Sequence, residues 1–145
     1  MDWTRLQLLW DRMEIIDTLN RYATSVDTRN WDLFLTCTTE EIVADMVSLG
    51  FGEPMILQAK DFLAIIRQAV SAFDRTQHLI SNHVIEIDGD RSTCVCYFQA
   101  QHFRQEGADG RFLLIGGTYD HRLVRTPEGW RICKYKVVKT WMTSG

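Results

Sequence analysis

The first part of the chain carries a helical pattern of apolar positions. Between residues 4 and 28, apolar side chains recur at steps of three and four, with arginines and aspartates between them. This spacing predicts one long amphipathic helix over residues 4–28. Residues 28–30 break the pattern, and Asn30 is a suitable N-cap for a short helix from Trp31 to Cys37. Helical spacing returns over residues 59–73.

β-Strands are predicted from residue 42 onward. A short apolar strand is predicted over residues 42–47, followed by a glycine-containing loop at 50–54. Four longer strands are predicted at 78–88, 92–105, 111–125 and 129–142. Turn sequences containing glycine separate the four long strands at hairpin spacing.

This order of elements indicates an α+β fold. A long N-terminal helix and two shorter helices would pack in a curved antiparallel sheet, giving a cone-shaped α+β barrel. Such a cone has an open end, and pockets tend to form in mouths of this kind.

Composition narrows the class of protein. The chain has 145 residues, 46% hydrophobic and 24% charged, which suits one globular domain over residues 1–145. The net charge of -3 argues against a nucleic-acid partner. No apolar run is long enough to span a membrane and no signal-peptide pattern is visible, so we expect a cytoplasmic protein. The four cysteines show no Cys-x-x-Cys spacing, so neither a disulfide framework nor a metal site is expected.

Two separated residues carry the strongest chemical signal. Asp27 lies at the end of the long helix, and His78 begins the first long strand. A carboxylate that orients an imidazole makes a general base that works near pH 7. Each residue also has a simple structural explanation, as a strand-start histidine bonded to backbone and a helix-end carboxylate. A carboxylate at a helix C-terminus opposes the helix dipole, however, which favours some compensating role.

Further candidates follow from strand and helix faces. His102 shares a strand face with Phe98 and Ala100, where it either lines a pocket or lies at a solvated rim. Tyr22 is a candidate for hydrogen bonding or proton donation, or a core residue. Asn82 has the strand parity of His78 and would orient substrate or serve as a structural amide. By the same alternation His83 faces away from the pocket, and the hydrophilic stretch Asp120–His121 reads as a solvent or subunit contact. Candidate pocket walls are Phe34, Met46, Tyr119, Tyr135 and Trp141.

Several short sequence segments resemble segments of known enzymes. The element order resembles the nuclear transport factor 2-like superfamily, with its SnoaL-like domains. Tyr22–Asp32 and Arg75–His78 look like the corresponding segments of scytalone dehydratase, whose second histidine would match His102. Leu114–Tyr119, with Gly129-Trp130 further on, looks more like the lindane dehydrochlorinase branch.

The resemblance implies an elimination reaction. Both relatives use a His–Asp pair, so His78 and Asp27 are the implied dyad, with His102 and Tyr22 assisting. Two tyrosines that position the substrate carbonyl in scytalone dehydratase face Val26 and Met46 here, which indicates a different substrate. The resemblance also implies no cofactor, a small-molecule substrate and a homotrimer, with a dimer as the alternative.

Three functions are compatible with these features. The first is a cofactor-independent, dehydratase-like lyase that eliminates water, or HCl, from a small cyclic or polyketide-like substrate. The second is an isomerase or cyclase that uses the same base without a leaving group. The third is a non-catalytic binding module or structural subunit, against which the presence of both Asp27 and His78 argues.

Overall fold

A computed structural model describes residues 2–145. In chain order its elements are α1 (Trp3–Asp27), α2 (Trp31–Leu35), β1 (Thr38–Asp45), a 3-10 turn (Val47–Leu49), β2 (Met55–Gln58), α3 (Ala59–Ser71), β3 (Arg75–Asp88), β4 (Arg91–Glu106), β5 (Asp109–Thr126) and β6 (Gly129–Ser144). The predicted N-cap at Asn30 is confirmed, because its side chain accepts a hydrogen bond from the Leu33 backbone N–H at 3.1 Å.

The strands form one six-stranded sheet in the order β2-β1-β6-β5-β4-β3. Helix α1 packs against β3 and β6, and α3 packs against β1, so the helices cover one face of the sheet. The α+β prediction is confirmed. One part of it is wrong: the sheet is mixed, because β1 runs parallel to β6 while the other neighbours are antiparallel.

Several predicted boundaries also move. The first strand covers 38–45 rather than 42–47, and the short helix ends at Leu35 rather than Cys37. Strand β2 was not predicted, since four residues are too few to show a periodicity. Strand β3 begins at Arg75, so His78 lies inside the strand rather than at its start.

A buried ion pair fixes the first half of α1. The Asp11 carboxylate is 2% exposed and accepts hydrogen bonds from Arg125 Nη1 and Nη2 at 2.6 and 2.9 Å and from Trp130 Nε1 at 3.0 Å. The Arg125 hydrogen bonds hold the pKa of Asp11 down to about 2. Thr18 adds a bond from its hydroxyl to the Trp130 carbonyl at 2.8 Å. Helix α1 is therefore tied to the β5–β6 hairpin about 24 Å from Asp27 along its axis.

None of the helices in residues 2–145 is long and apolar enough to cross a membrane.

Candidate active site

The Asp27 carboxylate and the His78 imidazole meet. Asp27 Oδ1 lies 2.7 Å from His78 Nδ1, and Asp27 Oδ2 accepts the His78 backbone N–H, also at 2.7 Å. The Thr76 hydroxyl donates to Asp27 Oδ1 at 3.1 Å. The His78 side chain is 8% exposed and that of Asp27 is 19% exposed, so the pair is largely shielded from solvent.

The edge of the sheet explains why this carboxylate can reach both groups. Strand β3 has β4 on one side only, so backbone N–H groups on its other side lack a strand partner. The end of α1 lies there, and Asp27 takes the free N–H of His78. This bond, with those from Thr76 and the ring, compensates the cost of a carboxylate at a helix C-terminus.

The pairing also selects the imidazole tautomer. An ionised carboxylate only accepts hydrogen bonds, so His78 Nδ1 must carry the proton in this contact. The neutral ring then has its lone pair on Nε2. His78 lines a partly open cavity, so the ring edge away from Asp27, which carries Nε2, can present a proton acceptor there.

The cavity itself is small and mostly apolar. It has a volume of about 90 Å³ and lies between the sheet, α1, α3 and the 3-10 turn. Its polar lining comes from five side chains: Tyr22, His78, His102, Tyr119 and Tyr135. Val26 lines it as well. Six residues predicted from sequence therefore line the cavity, and a seventh, Asp27, is bonded to one of them, His78.

His102 completes a pair of imidazoles. Its ring centroid lies 6.1 Å from that of His78 in an edge-to-face arrangement, and 4.9 Å from the Phe73 ring. Its Nδ1 lies 3.3 Å from the Leu113 carbonyl, which only accepts, so Nδ1 donates. Burial, followed by repulsion from His78, lowers the pKa of His102. The lowered pKa favours the neutral ring of His102, whose Nε2 can accept a hydrogen bond.

Three tyrosines form the opposite part of the wall. Tyr22 and Tyr135 have their hydroxyl oxygens 3.2 Å apart, and the Tyr119 ring lies edge-on to Tyr22 with centroids 6.2 Å apart. All three residues are buried. Burial raises the pKa of each phenol, further supported at Tyr22 and Tyr119 by the neighbouring hydroxyls. The cavity thus holds neutral phenols that can donate hydrogen bonds.

His121 lies behind the tyrosines, and its prediction as a solvent or subunit contact is wrong. It is 0% exposed, stacks on Tyr119 and lies tilted against Tyr135, with ring centroids 4.8 Å away in both cases. Its Nδ1 accepts the Lys136 backbone N–H at 3.2 Å, and burial lowers its pKa to about 3. The hydrophilic neighbours in sequence gave no sign that this residue points inward.

A bulge in β3 moves Asn82 away from its predicted face. The register shifts between Ser81 and Val84, and Asn82 has a left-handed φ of 58°. Asn82 is consequently exposed and does not line the cavity, contrary to its predicted place beside His78. His83 is half-buried and, as predicted, does not line the cavity, and burial lowers its pKa. Simple alternation fails here because one extra residue changes the parity of the strand.

Three other predicted walls lie elsewhere. Met46 and Phe34 are buried in the core but do not line the cavity. Trp141 is 41% exposed and packs across Gly116, where a Cβ would collide with the indole. It belongs to an exposed groove with Tyr97 and Leu79 on the face of the sheet without helices.

Sequence reasoning missed some cavity residues. Leu49 of the 3-10 turn and three α3 residues, Ile66, Ala69 and Val70, line the cavity. The α3 residues lie on the apolar face of a predicted helix, so they could have been proposed. Thr76 shares strand parity with His78, which was a usable signal for its bond to Asp27.

Comparison with known proteins identifies the family. Residues 7–136 match the SnoaL-like domain model. The chain belongs to the SnoaL-like domain family. A solved structure of the Kfla4162 protein from Kribbella flavida is 32% identical to this SnoaL-like chain, covers 94% of it and 95% of its own length, and superposes with a TM-score of 0.89.

Two more distant structures share the fold. The LinA-type3 hexachlorocyclohexane dehydrochlorinase of Novosphingobium barchaimii is 17% identical, with a TM-score of 0.78 over 97% of this chain and 94% of its own. A Novosphingobium aromaticivorans protein provisionally assigned as a scytalone dehydratase is 15% identical, with a TM-score of 0.77 over 99% and 91%. At these identities the similarity shows a common fold. The resemblance to SnoaL-like domains that the sequence indicated is therefore confirmed at the level of the family.

Proposed function

We propose that this SnoaL-like domain is a cofactor-independent lyase that eliminates water from a small cyclic or polyketide-like carbonyl compound. The observation that carries the proposal is the Asp27–His78 hydrogen bond, which leaves the His78 Nε2 lone pair at a cavity lined by neutral tyrosines.

The first step uses His78 as the base. Its Nε2 takes a proton from the carbon next to the substrate carbonyl, and the electron pair of that C–H bond moves to the carbonyl oxygen. Asp27 holds the ring and stabilises the resulting imidazolium, as in other carboxylate–imidazole pairs. Positioned base catalysis of this kind contributes typically 10²–10⁴-fold.

The tyrosine hydroxyls would donate hydrogen bonds to the developing oxyanion. Tyr22, Tyr119 and Tyr135 are neutral donors in a water-poor pocket, where a hydrogen bond to a developing charge is strong. Loss of one such donor from an oxyanion site costs roughly 2.7–4 kcal/mol of transition-state stabilisation in other enzymes.

The second step releases water. The enolate electrons form the new C=C bond, the C–O bond of the β-hydroxyl breaks, and the His78 imidazolium returns its proton to the leaving oxygen. His102 is uncharged and bonded through Nδ1, so it is better suited to accept a hydrogen bond from the β-hydroxyl than to protonate it.

The cavity volume limits substrate entry. About 90 Å³ is well below the roughly 300–1,000 Å³ of typical ligand pockets. A cyclic substrate therefore requires the cavity to widen. Leu49 and α3 are the natural moving parts, because the other wall outside the sheet, α1, is held to β3 by the bonds of Asp27.

A second candidate function is isomerisation or cyclisation with the same base. The tyrosine cluster is compatible with this function as well, because it would stabilise an enolate. An enolate forms in any reaction that begins with removal of an α-proton, whether or not a group then leaves. Product mass separates the two: elimination removes the mass of one water, and isomerisation leaves the mass unchanged.

The test is a screen of β-hydroxy carbonyl compounds with product detection by mass spectrometry. We expect His78→Ala to lower turnover at least about 100-fold. His83→Ala is the matched control, because this half-buried imidazole on the same strand does not line the cavity. Equal turnover in wild type and His78→Ala would remove His78 from the mechanism.

A further inference from the structure

Arg29 holds an unusual backbone conformation just beyond α1. Its φ is 57°, in the left-handed region, where the residue after a helix is commonly glycine. A side chain with a Cβ is disfavoured in this region. Its own backbone N–H bonds to the Val26 carbonyl at 3.2 Å, and that of Asn30 to the Ser25 carbonyl at 2.9 Å, so the turn is well defined. An arginine at this position needs a compensating role for its side chain.

The guanidinium group joins the ends of two helices. Arg29 Nη2 donates to the Val70 carbonyl at 3.2 Å and to the Phe73 carbonyl at 3.3 Å, at and just beyond the C-terminus of α3. Its Nη1 reaches the Val26 carbonyl at 3.4 Å, at the C-terminus of α1. Carbonyls at helix ends lack intrahelical partners and carry partial negative charge, so a planar cation bridging them satisfies both ends at once.

These two helix ends support the two imidazoles of the site. Val26 precedes Asp27, which orients His78. Phe73 packs on the His102 ring with centroids 4.9 Å apart. Arg29 is half-buried and does not line the cavity, so it has no direct access to a bound molecule.

We infer that Arg29 is a positioning residue: by tying the end of α1 to the end of α3, it fixes the Asp27–His78 pair relative to His102. The inference rests on the proposed function only in taking these side chains as the reacting groups. The Asp27 carboxylate also attracts the Arg29 guanidinium electrostatically, which adds to the hydrogen bonds.

Arg104 provides a matched comparison. Its Nε donates to the Ala72 carbonyl at 2.9 Å, and its guanidinium lies 5.8 Å from the Phe73 ring centroid. It therefore braces the same end of α3 from β4, with no bond to α1. Loss of Arg104 tests general loosening of this region, whereas loss of Arg29 tests the tie between the helices.

The experiment compares Arg29→Gly, Arg29→Lys and Arg104→Gln by NMR of ¹⁵N-labelled histidine rings, which needs no substrate. Glycine removes the side chain and suits the left-handed backbone, so Arg29→Gly is expected to fold. We expect solvent exchange of the His78 Nδ1–H proton to become at least about tenfold faster in Arg29→Gly, the effect of losing one hydrogen bond to a charged group. Arg29→Lys should restore part of the protection, and Arg104→Gln should match wild type.

Each outcome decides the inference. Wild-type exchange in Arg29→Gly overturns it, and so does an equal increase in Arg104→Gln. If Arg29→Gly does not fold, Arg29→Lys replaces it: the inference then requires exchange faster than wild type, and unchanged exchange overturns it. Absence of lyase activity in every variant, wild type included, would refute the proposed function while leaving the NMR result to judge Arg29.

Discussion

Replacement of Asp27 by asparagine tests the link between the helix end and the base. The carboxylate accepts three hydrogen bonds, from His78 Nδ1 and the His78 backbone N–H at 2.7 Å each and from Thr76 at 3.1 Å. An asparagine has one carbonyl oxygen and one NH₂ group, so it cannot accept all three. If its oxygen keeps the backbone N–H, its NH₂ group faces His78 Nδ1.

That contact would reverse the tautomer. An NH₂ donor requires His78 Nδ1 to accept, so the ring proton moves to Nε2 and the lone pair at the cavity is lost. We expect turnover to fall roughly 10³–10⁴-fold, similar in size to the loss when a carboxylate–histidine pair elsewhere is changed in this way. The lost charge-assisted bond also costs about 1.5–3 kcal/mol, which lowers the melting temperature of a domain of this size by roughly 5–10 °C.

Ring ¹⁵N shifts measure the tautomer directly. Wild type should show His78 protonated at Nδ1, and Asp27→Asn should show it protonated at Nε2. Thr76→Val is the control, because it removes one bond to the same carboxylate and leaves the acceptor in place. An Asp27→Asn protein that keeps the Nδ1–H tautomer, or wild-type turnover, would refute the reasoning.

Four further predictions concern the wall, the core and the surface. Leu49→Ala should widen the cavity and raise kcat/KM for bulkier substrates relative to small ones, measured in a substrate size series. Tyr135→Phe should lower kcat by more than tenfold while changing KM less, because its hydroxyl would act on the oxyanion. His121 has a folded pKa of about 3 against 6.5 unfolded, so stability is complete above pH 6.5 and falls toward pH 3, by up to about 1.4 kcal/mol per pH unit; urea unfolding of His121→Phe should show a shallower decline. The expected homotrimer, or its dimer alternative, would cover the exposed apolar groove at Leu79, so light scattering should give three or two chains for wild type and fewer for Leu79→Glu.

The elements were predictable where periodicity runs for many residues. The four long strands and the second half of the α1 stripe appear in the sequence because each buries one face over many residues. In the first half of that stripe, Leu6, Leu9 and Met13 are exposed, although their spacing still indicated a helix. The pairing of β1 with β6 was not predictable, since parallel neighbours distant in sequence leave no local signature. The short strand β2 was not predicted because four residues are too few to establish a pattern.

Some residues of the site were also predictable from the sequence, and others were not. Asp27 and His78 were found because residue type and flanking strings marked both, and the fold brings them to 2.7 Å. Asn82 was misplaced because strand alternation was extended through a bulge that the sequence does not announce. His121 was misplaced because local hydrophilicity is a poor guide to a single residue that faces inward. Arg29 was passed over because its contacts lie in α3, more than forty residues away.

Proton abstraction by His78 can be measured apart from elimination. A ketone that fits the cavity but lacks a β-leaving group is incubated in D₂O with wild type, His78→Ala or His83→Ala, and deuterium entering the α-carbon is followed by NMR. We expect catalysed exchange in wild type and His83→Ala, and at least about 100-fold slower exchange in His78→Ala. Exchange at the wild-type rate in His78→Ala would contradict this expectation.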